Sequence, residues 1–306
     1  MNVTEVSKLL QFHVSVKVLL SVLPCLLFLY VNSVMMFALL KKPFLLESPR
    51  YILFGHLLLI DSLQLLLTTL LYLFGLTMIR MVTCLCVLLT QLAAITVKLS
   101  PINLAAMSLE RYVAICFPLR HASVSTPRVA AGAIAVMWTV SSIESFTQLF
   151  LFFSVDSAGL MAQRFCSRNA VFQLQVCVTL NRAFTILNFV LVTIIIVYTY
   201  VAIVVSVKRP PSCARGAKGE QKTVLLHVFQ LCLYLVSTLF NMISSSELLN
   251  LNAALTIHIE YIFFFALVIF PKFLSPLIYG LRDQSISHVL KYCITFGCKS
   301  TVRPNA

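Results

Sequence analysis

The sequence has few charged residues for its length of 306: Asp, Glu, Lys and Arg together make up 11%, against 60% hydrophobic residues. A chain with so little polar surface cannot dissolve as a globule. Its mean hydropathy of +0.96 supports the same interpretation. We therefore predict that lipid is the solvent for most of the chain.

Motifs of common enzymes are missing as well. The chain contains no HExxH, no GxSxG and no phosphate-binding loop, and its six histidines are scattered over different segments. The formal net charge of +13 does not indicate a nucleic-acid binder, because Lys and Arg lie in short gaps between apolar runs instead of on a soluble face. We expect no enzyme activity, no cofactor, no metal and no nucleic-acid partner.

Seven apolar stretches are long enough to cross about 30 Å of hydrocarbon at about 1.5 Å per residue. No linker or repeat divides the chain, so residues 1–306 are predicted to form one domain. After the seventh stretch, apolar residues spaced among polar ones predict a short amphipathic eighth helix. The predicted fold class is an all-α membrane protein, a seven-transmembrane-helix bundle. Its spans cover about 17–40, 51–78, 82–116, 129–154, 182–207, 223–246 and 254–280.

The positions of the basic residues predict the orientation. Most of the 23 Lys and Arg residues lie on one side of the predicted spans, and such residues are retained in the cytoplasm. Residues 1–16 are therefore predicted to be extracellular and residues 281–306 to form a cytoplasmic tail. Asn2, followed by Val3 and Thr4, fits the acceptor pattern for N-glycosylation on the outer side.

The inner end of the third span carries the most specific motif. The run from Met107 to His121 reads MSLERYVAICFPLRH. It places Arg111 beside Glu110 at the inner edge of the membrane, where helix movement can lock or release the pair. An isolated acidic residue followed by Arg and Tyr more often only anchors the helix at the membrane interface. Over most of its length, however, this run resembles the odorant-receptor signature residue for residue, and that resemblance favours a switch.

The seventh span contains the run PKFLSPLIY at residues 271–279. This run is similar to the seventh-helix motif of rhodopsin-like receptors, with Ser275 where that family usually has Asn. Pro276 removes a backbone hydrogen bond, which loosens the helix so that Tyr279 can swing inward. Further residues, each weak evidence alone, match these receptors in order and spacing: Asn32, Asp61, Trp138, Tyr200, Lys222, Thr223 and His227. The chain is identified as a member of the rhodopsin-like G-protein-coupled receptors, of the odorant-receptor type and most like those of fish.

The resemblance implies a multi-pass receptor of the plasma membrane that binds a small odorant and activates a heterotrimeric G protein of the stimulatory class. It also implies that the activation switch and the coupling face use Glu110, Arg111, Tyr112, Tyr200, Pro276 and Tyr279.

The ligand is expected between the outer halves of the third, fifth, sixth and seventh spans. Apolar stripes at such spacings also arise from ordinary helix packing, which is the alternative for part of the set. By helix spacing, the lining comprises Gln91, Ala94, Ile95, Lys98, Asn181, Phe184, Thr185, Asn188, Thr238, Met242, Tyr261 and Phe265.

Cys86 lies roughly seven helical turns before Arg111, which puts it at the outer surface, where disulfides form. The family resemblance implies a partner in the second outer loop, and Cys166 is the best match. A second bridge between Cys84 and Cys177 stays open. On the opposite side, Cys293 and Cys298 are either palmitoylated or ordinary thiols.

Ionisable residues inside the bilayer need partners because a lone charge there is costly. In receptors of this type the second-span Asp usually helps to hold sodium. We predict that Lys272 pairs with Asp61 and takes the place of sodium, with Ser100 and Ser275 nearby; the alternative is that Lys272 snorkels to the inner interface.

Lys98 and Glu144 lie at similar depth and form a second candidate pair. If they do not pair, Lys98 points into the ligand cavity and favours an acidic or hydrogen-bond-accepting odorant.

Three other functions are alternatives to an odorant receptor. A rhodopsin-like receptor for a non-odorant ligand is the main alternative, supported by Lys272 and Ser275. A seven-helix transporter is less favoured, because the chain shows no inverted repeats and no matching broken helices. A retinal-binding photoreceptor is disfavoured because Val268 and Ile269 lie where its lysine would be.

Overall fold

The computed structural model describes residues 3–77, 79–155, 163–166 and 175–207, together with eight separate positions. These positions are 225, 228, 229, 232, 233, 236, 270 and 272. The rest of the sixth and seventh predicted spans, the predicted eighth helix and the predicted tail lie outside the described residues. The same holds for Asn2, Thr238, Met242, Tyr261, Phe265, Ser275, Pro276, Tyr279, Cys293 and Cys298.

The described part of the chain is almost entirely helical. Its long helices are α1 (Val3–Leu40), α2 (Pro49–Leu76), α3 (Thr83–Cys116), α5 (Pro127–Val155) and α6 (Gln175–Val207). A 3-10 turn (Pro43–Glu47) precedes α2, and the short helix α4 (Pro118–Val124) follows α3. Strands β1 (Arg80–Val82) and β2 (Gln163–Phe165) pair antiparallel, with Met81 opposite Arg164.

Five stretches among the described residues are long and apolar enough to cross a membrane. Each lies within one of the long helices. They run over Val22–Leu40, Pro49–Gly75, Thr83–Cys116, Pro127–Ser154 and Gln175–Ser206.

Three helices begin at a proline, namely α2 at Pro49, α4 at Pro118 and α5 at Pro127. Proline suits the first helical position because its φ is already helical and its missing N–H has no partner there. Pro24 and Pro101 lie inside α1 and α3. Spanning helices tolerate internal proline because neighbouring groups satisfy the freed carbonyls.

Two helices extend beyond the spans predicted from hydropathy. Helix α1 begins at Val3 instead of residue 17, and α6 begins at Gln175 instead of residue 182. Neither added stretch contains Gly or Pro, so nothing in the sequence ends the helix where the apolar run ends. Hydropathy locates the membrane crossing, whereas helix propensity determines how far the helix continues outside it.

Helix α3 is the central helix of the described bundle and contacts α2, α5 and α6. In α3, 56% of the membrane-spanning apolar stretch is buried within the protein, compared with 22% in α6. The largest cluster of buried side chains joins Met35 of α1, Phe54 and Leu57 of α2, and Leu99 of α3. The outward faces are apolar too, for example Phe146 and Phe150 on α5. Apolar side chains on both faces are what a helix between protein and lipid requires.

Helices α1 and α2 approach closely at Gly55. A Cβ added there would lie 2.8 Å from Cδ2 of Leu39, closer than side chains approach one another. Small residues allow such close backbone contact between membrane helices. Asn32 adds a polar contact between the same helices, because its Nδ2 donates to Oγ of Ser62 at 2.9 Å.

The predicted disulfide between Cys86 and Cys166 is present, with a Cα–Cα distance of 5.5 Å. It connects the outer end of α3 to the residue that follows β2. Cys177 is buried in the same cluster. Cys84 is a free cysteine, so the structure contains no bridge between Cys84 and Cys177.

Removing the disulfide should destabilise the outer end of the bundle. We expect Cys86→Ser and Cys166→Ser each to lower stability by about 2–5 kcal/mol, because the cross-link constrains the unfolded chain. The double variant should be no worse than either single variant. Thermal melting of the purified protein measures the loss, and Cys84→Ser is the matched control. Full additivity of the two single effects would contradict the bond.

Candidate functional site

A buried ion pair joins the seventh predicted span to α2. Nζ of Lys272 lies 2.7 Å from Oδ1 of Asp61, and their side chains are 4% and 3% exposed. The ammonium also donates to Oε1 of Gln64 at 2.7 Å. Oγ of Ser100, on α3, donates to the same carboxylate oxygen of Asp61. Three segments therefore meet at one polar cluster inside the membrane.

The partners of Lys272 explain why a charge is tolerated at this depth. Hydrocarbon contains no water, so an ammonium must find its counter-charge and its hydrogen-bond acceptors within the protein. Asp61 supplies the charge and Gln64 a further acceptor. The side chain of Lys272 therefore points to α2 and not to the inner interface.

Sequence reasoning missed Gln64. It lies three residues after Asp61, and this helical spacing places the two side chains on the same face of α2.

A second buried polar network lies between α3 and α5. Nζ of Lys98 forms an ion pair with Oε2 of Glu144. The other carboxylate oxygen, Oε1, accepts from Nε2 of Gln148 at 2.7 Å. Oε1 of Gln148 in turn accepts from Nε2 of Gln91 at 3.1 Å. The four side chains form a continuous hydrogen-bonded chain, which we call the α3–α5 polar seam.

The seam changes the interpretation of the predicted ligand lining on α3. Gln91 and Lys98 both contact α5, and Ile95 packs against the main hydrophobic cluster. Ala94 is also buried, with 8% of its surface exposed. Helix spacing places such residues on one face but does not determine which neighbour that face meets. The structure directs Gln91 and Lys98 toward α5.

The predicted lining residues on α6 lie on the face that points toward the other helices of the bundle. All four are half-buried, whereas their neighbours Ile186, Leu187 and Val190 are exposed. The four are Asn181, Phe184, Thr185 and Asn188.

A third network links α2, α3 and α5 around Trp138. Nε1 of Trp138 donates to Nε2 of His56 at 2.9 Å, and Nδ1 of His56 lies 3.1 Å from Oδ1 of Asn103. Indole is only a donor, so Nε2 of His56 is the acceptor and Nδ1 carries the proton. Nδ2 of Asn103 then donates to the carbonyl of Leu53 at 2.9 Å. The network holds a neutral histidine inside the bundle.

The inner end of α3 contains the predicted switch residues. Arg111 is 4% exposed, and its Nε lies 3.7 Å from Oε2 of Glu110. Oε1 of Glu110 lies 3.2 Å from Nε2 of His121 on α4. The carboxylate of Glu110 therefore contacts both the arginine beside it and the first helix of the inner loop.

Two further contacts connect the inner ends of α3 and α6. The hydroxyls of Tyr112 and Tyr198 lie 3.3 Å apart. Sγ of Cys116 lies 3.1 Å from Oγ of Ser206. Tyr200, expected to meet Arg111 on activation, is half-buried on the same helix.

Comparison with known proteins identifies the family of the chain. The family model described as "7 transmembrane receptor (rhodopsin family)" matches residues 31–279, so the chain belongs to the rhodopsin family of seven-transmembrane receptors. Odorant receptor 131-2 of Danio rerio is 34% identical over 304 residues, which is 97% of this chain and 91% of that protein. The chain belongs to the odorant-receptor family within that class.

Mammalian relatives are more distant. Olfactory receptor 14J1 of Homo sapiens is 29% identical over 61% of this chain and 59% of its own length. Olfactory receptor 1N1 of Homo sapiens is 31% identical over 61% of this chain and 60% of its own length. Membership in this receptor family confirms both the predicted resemblance and the prediction that the protein is not an enzyme.

Breaking one half of the Asp61–Lys272 pair should destabilise the receptor more than removing both halves. We expect Asp61→Asn and Lys272→Met each to cost about 3–5 kcal/mol, because each leaves a buried charge without its partner. The double variant should regain much of that loss. Thermal melting and surface expression measure the effect, with the exposed Lys41→Met as control. Equal losses in all three variants would contradict the pairing.

Proposed function

We propose that this protein is an odorant receptor of the plasma membrane. A small molecule binds within the outer half of the helix bundle, and a heterotrimeric G protein of the stimulatory class is activated at the inner end. The observation that carries the proposal is Arg111, buried beside Glu110 at the inner end of the central helix α3. The family of the chain supports the same function.

The proposal includes parts of the architecture that lie outside the described residues. Two further spanning helices, at about 223–246 and 254–280, complete a single seven-helix domain, and a short eighth helix follows on the inner leaflet. The N-terminus is extracellular, with Asn2 as a glycosylation site, and the C-terminus is cytoplasmic. The distribution of Lys and Arg between the two sides supports this orientation.

Helix α3 is suited to carry the signal because it runs from one end of the bundle to the other. Cys86 anchors its outer end, Lys98 and Ser100 bond to α5 and α2, and Arg111 lies at its inner end. A ligand that binds an open arrangement of the helices better than a closed one shifts the population toward the open one. Movement of α3 against α2 and α5 then alters the contacts of Glu110.

Helix movement releases the contact between Nε of Arg111 and Glu110 in this proposal. Its N–O distance of 3.7 Å exceeds that of a good charge-assisted hydrogen bond, which is about 2.7–2.9 Å. Arg111 then meets Tyr200 and Tyr279, and Pro276 gives the seventh span the flexibility for Tyr279 to move inward. The exposed residues Arg120 and Arg128 then present positive charge to the G protein.

A cyclic AMP assay tests the proposal. Cells that carry a stimulatory olfactory G protein should respond to at least one member of a panel of amino acids, steroids, bile acids and small organic odorants. Arg111→Ala should abolish that response at equal surface expression, because the coupling cation is lost. Thr139→Val, which changes an exposed side chain on the lipid face of α5, is the control.

The outcomes of this assay separate the candidate functions. Silence to the whole panel, with the receptor proven at the surface, would favour a rhodopsin-family receptor for a non-odorant ligand. An undiminished response in Arg111→Ala would contradict the assigned switch.

The Asp61–Lys272 pair predicts that the receptor is insensitive to sodium. The ammonium of Lys272 already neutralises Asp61, so a sodium ion gains no charge compensation there. Replacing sodium with choline at constant ionic strength should leave agonist potency unchanged. Lys272→Met should introduce a several-fold dependence on sodium, because Asp61 then lacks its internal cation. A clear sodium effect on the unmodified receptor would show that the pair does not replace the ion.

A further inference from the structure

We infer that His121 is a positioning residue of the activation switch: from helix α4 it holds the carboxylate of Glu110 beside Arg111. The inference rests on the proposed function and deepens it, because it names the residue through which the inner loop acts on the switch. The juxtaposition that carries it is one carboxylate between the guanidinium of its own helix α3 and the imidazole of α4.

The first step concerns what orients Glu110. Adjacent residues of a helix do not face each other, yet Oε2 of Glu110 lies 3.7 Å from Nε of Arg111. Its Oε1 lies 3.2 Å from Nε2 of His121, the only hydrogen bond of this carboxylate in the part of the chain that the structure describes. An ionised carboxylate only accepts, so the imidazole donates. The donor on α4 therefore sets the direction in which the side chain of Glu110 points.

The second step concerns how His121 reaches Glu110. The two residues are eleven positions apart, which an unbroken helix would convert into a separation of about 16 Å. Helix α3 instead ends before Phe117, whose φ of −132° and ψ of 57° are not helical, as is usual for a residue that precedes proline. Pro118 then begins α4, and the N–H groups of Arg120 and His121 both donate to the carbonyl of Phe117. This break turns α4 back against α3.

The third step concerns the outward side of α4. Leu119 is 98% exposed and Arg120 is exposed as well, whereas the side chain of His121 is 31% exposed and contacts the switch. A G protein that binds the exposed residues and displaces α4 therefore draws His121 away from Glu110. By linkage, a stronger contact between His121 and Glu110 in the resting receptor weakens the binding of the G protein.

Basal cyclic AMP tests the positioning role in the full-length receptor. At equal surface expression, His121→Phe should raise the basal level at least about threefold, because Glu110 loses a charge-assisted hydrogen bond and no longer holds Arg111. His121→Gln keeps an N–H donor and should restore the low level. In a receptor that already carries Glu110→Ala, His121→Phe should have no further effect. Ser123→Ala changes an exposed side chain of the same helix and is the matched control.

Melting temperatures test the same role without any signalling. A double-mutant cycle of Glu110→Ala and Arg111→Ala in the purified receptor measures the coupling between these two residues. With His121→Phe present in every member of the cycle, the coupling should fall to roughly half or less, because the carboxylate is no longer held beside the guanidinium. A histidine that only stabilised the loop would lower all the melting temperatures equally and leave the coupling unchanged.

Two results would overturn the inference. One is an unchanged basal level in His121→Phe of a receptor that responds to a ligand, and the other is a coupling between Glu110 and Arg111 that persists in full without His121. If His121→Phe fails to fold, His121→Asn, whose shorter amide does not reach Glu110, replaces it with the same expected results. A receptor silent to every ligand would contradict the proposed function, and the melting cycle would then decide the positioning role alone.

Discussion

An ionised side chain within this bundle must find its counter-charge inside the protein, because the surrounding hydrocarbon offers none. The pair of Asp61 and Lys272 shows the constraint most directly, since it draws the seventh predicted span onto α2 and engages Ser100 of α3. Breaking such a pair is costly, whereas replacing it as a whole with apolar side chains is often neutral. The pair therefore specifies which helices meet more than it adds stability.

Helix α3 integrates these constraints. Its outer end is fixed by the bond between Cys86 and Cys166, its middle carries Lys98 and Ser100 in two separate polar networks, and its inner end carries Arg111. A rigid helix that contacts α2, α5 and α6 cannot shift without changing partners in several places. Discrete sets of polar contacts of this kind give a protein two alternative arrangements, which is what a receptor requires.

Parts of this arrangement followed from the sequence because they depend on local patterns. Apolar runs located the crossings, and the MSLERYVAICFPLRH run identified the family, which the comparisons confirm. The spacing of Gln91, Ile95 and Lys98 showed that they share a face of α3, and similar depth made Glu144 a candidate partner of Lys98. The expectation of a cavity lined jointly with α6 did not anticipate Gln148 as the partner of Gln91. The spacing of residues along a helix determines which side chains share a face. Packing of the whole bundle determines which neighbouring helix that face contacts.

The sequence alone determined that the chain enters a membrane, that it belongs to the rhodopsin-like receptors and that its buried charges need partners, because composition, motif and hydrophobic length are properties of the chain itself. Only the tertiary structure decided that His121 of α4 turns back to Glu110 of α3 and that Trp138 donates to His56. It also decided that Lys98 turns to Glu144. Those contacts join different helices, and their geometry exists only once the helices have packed.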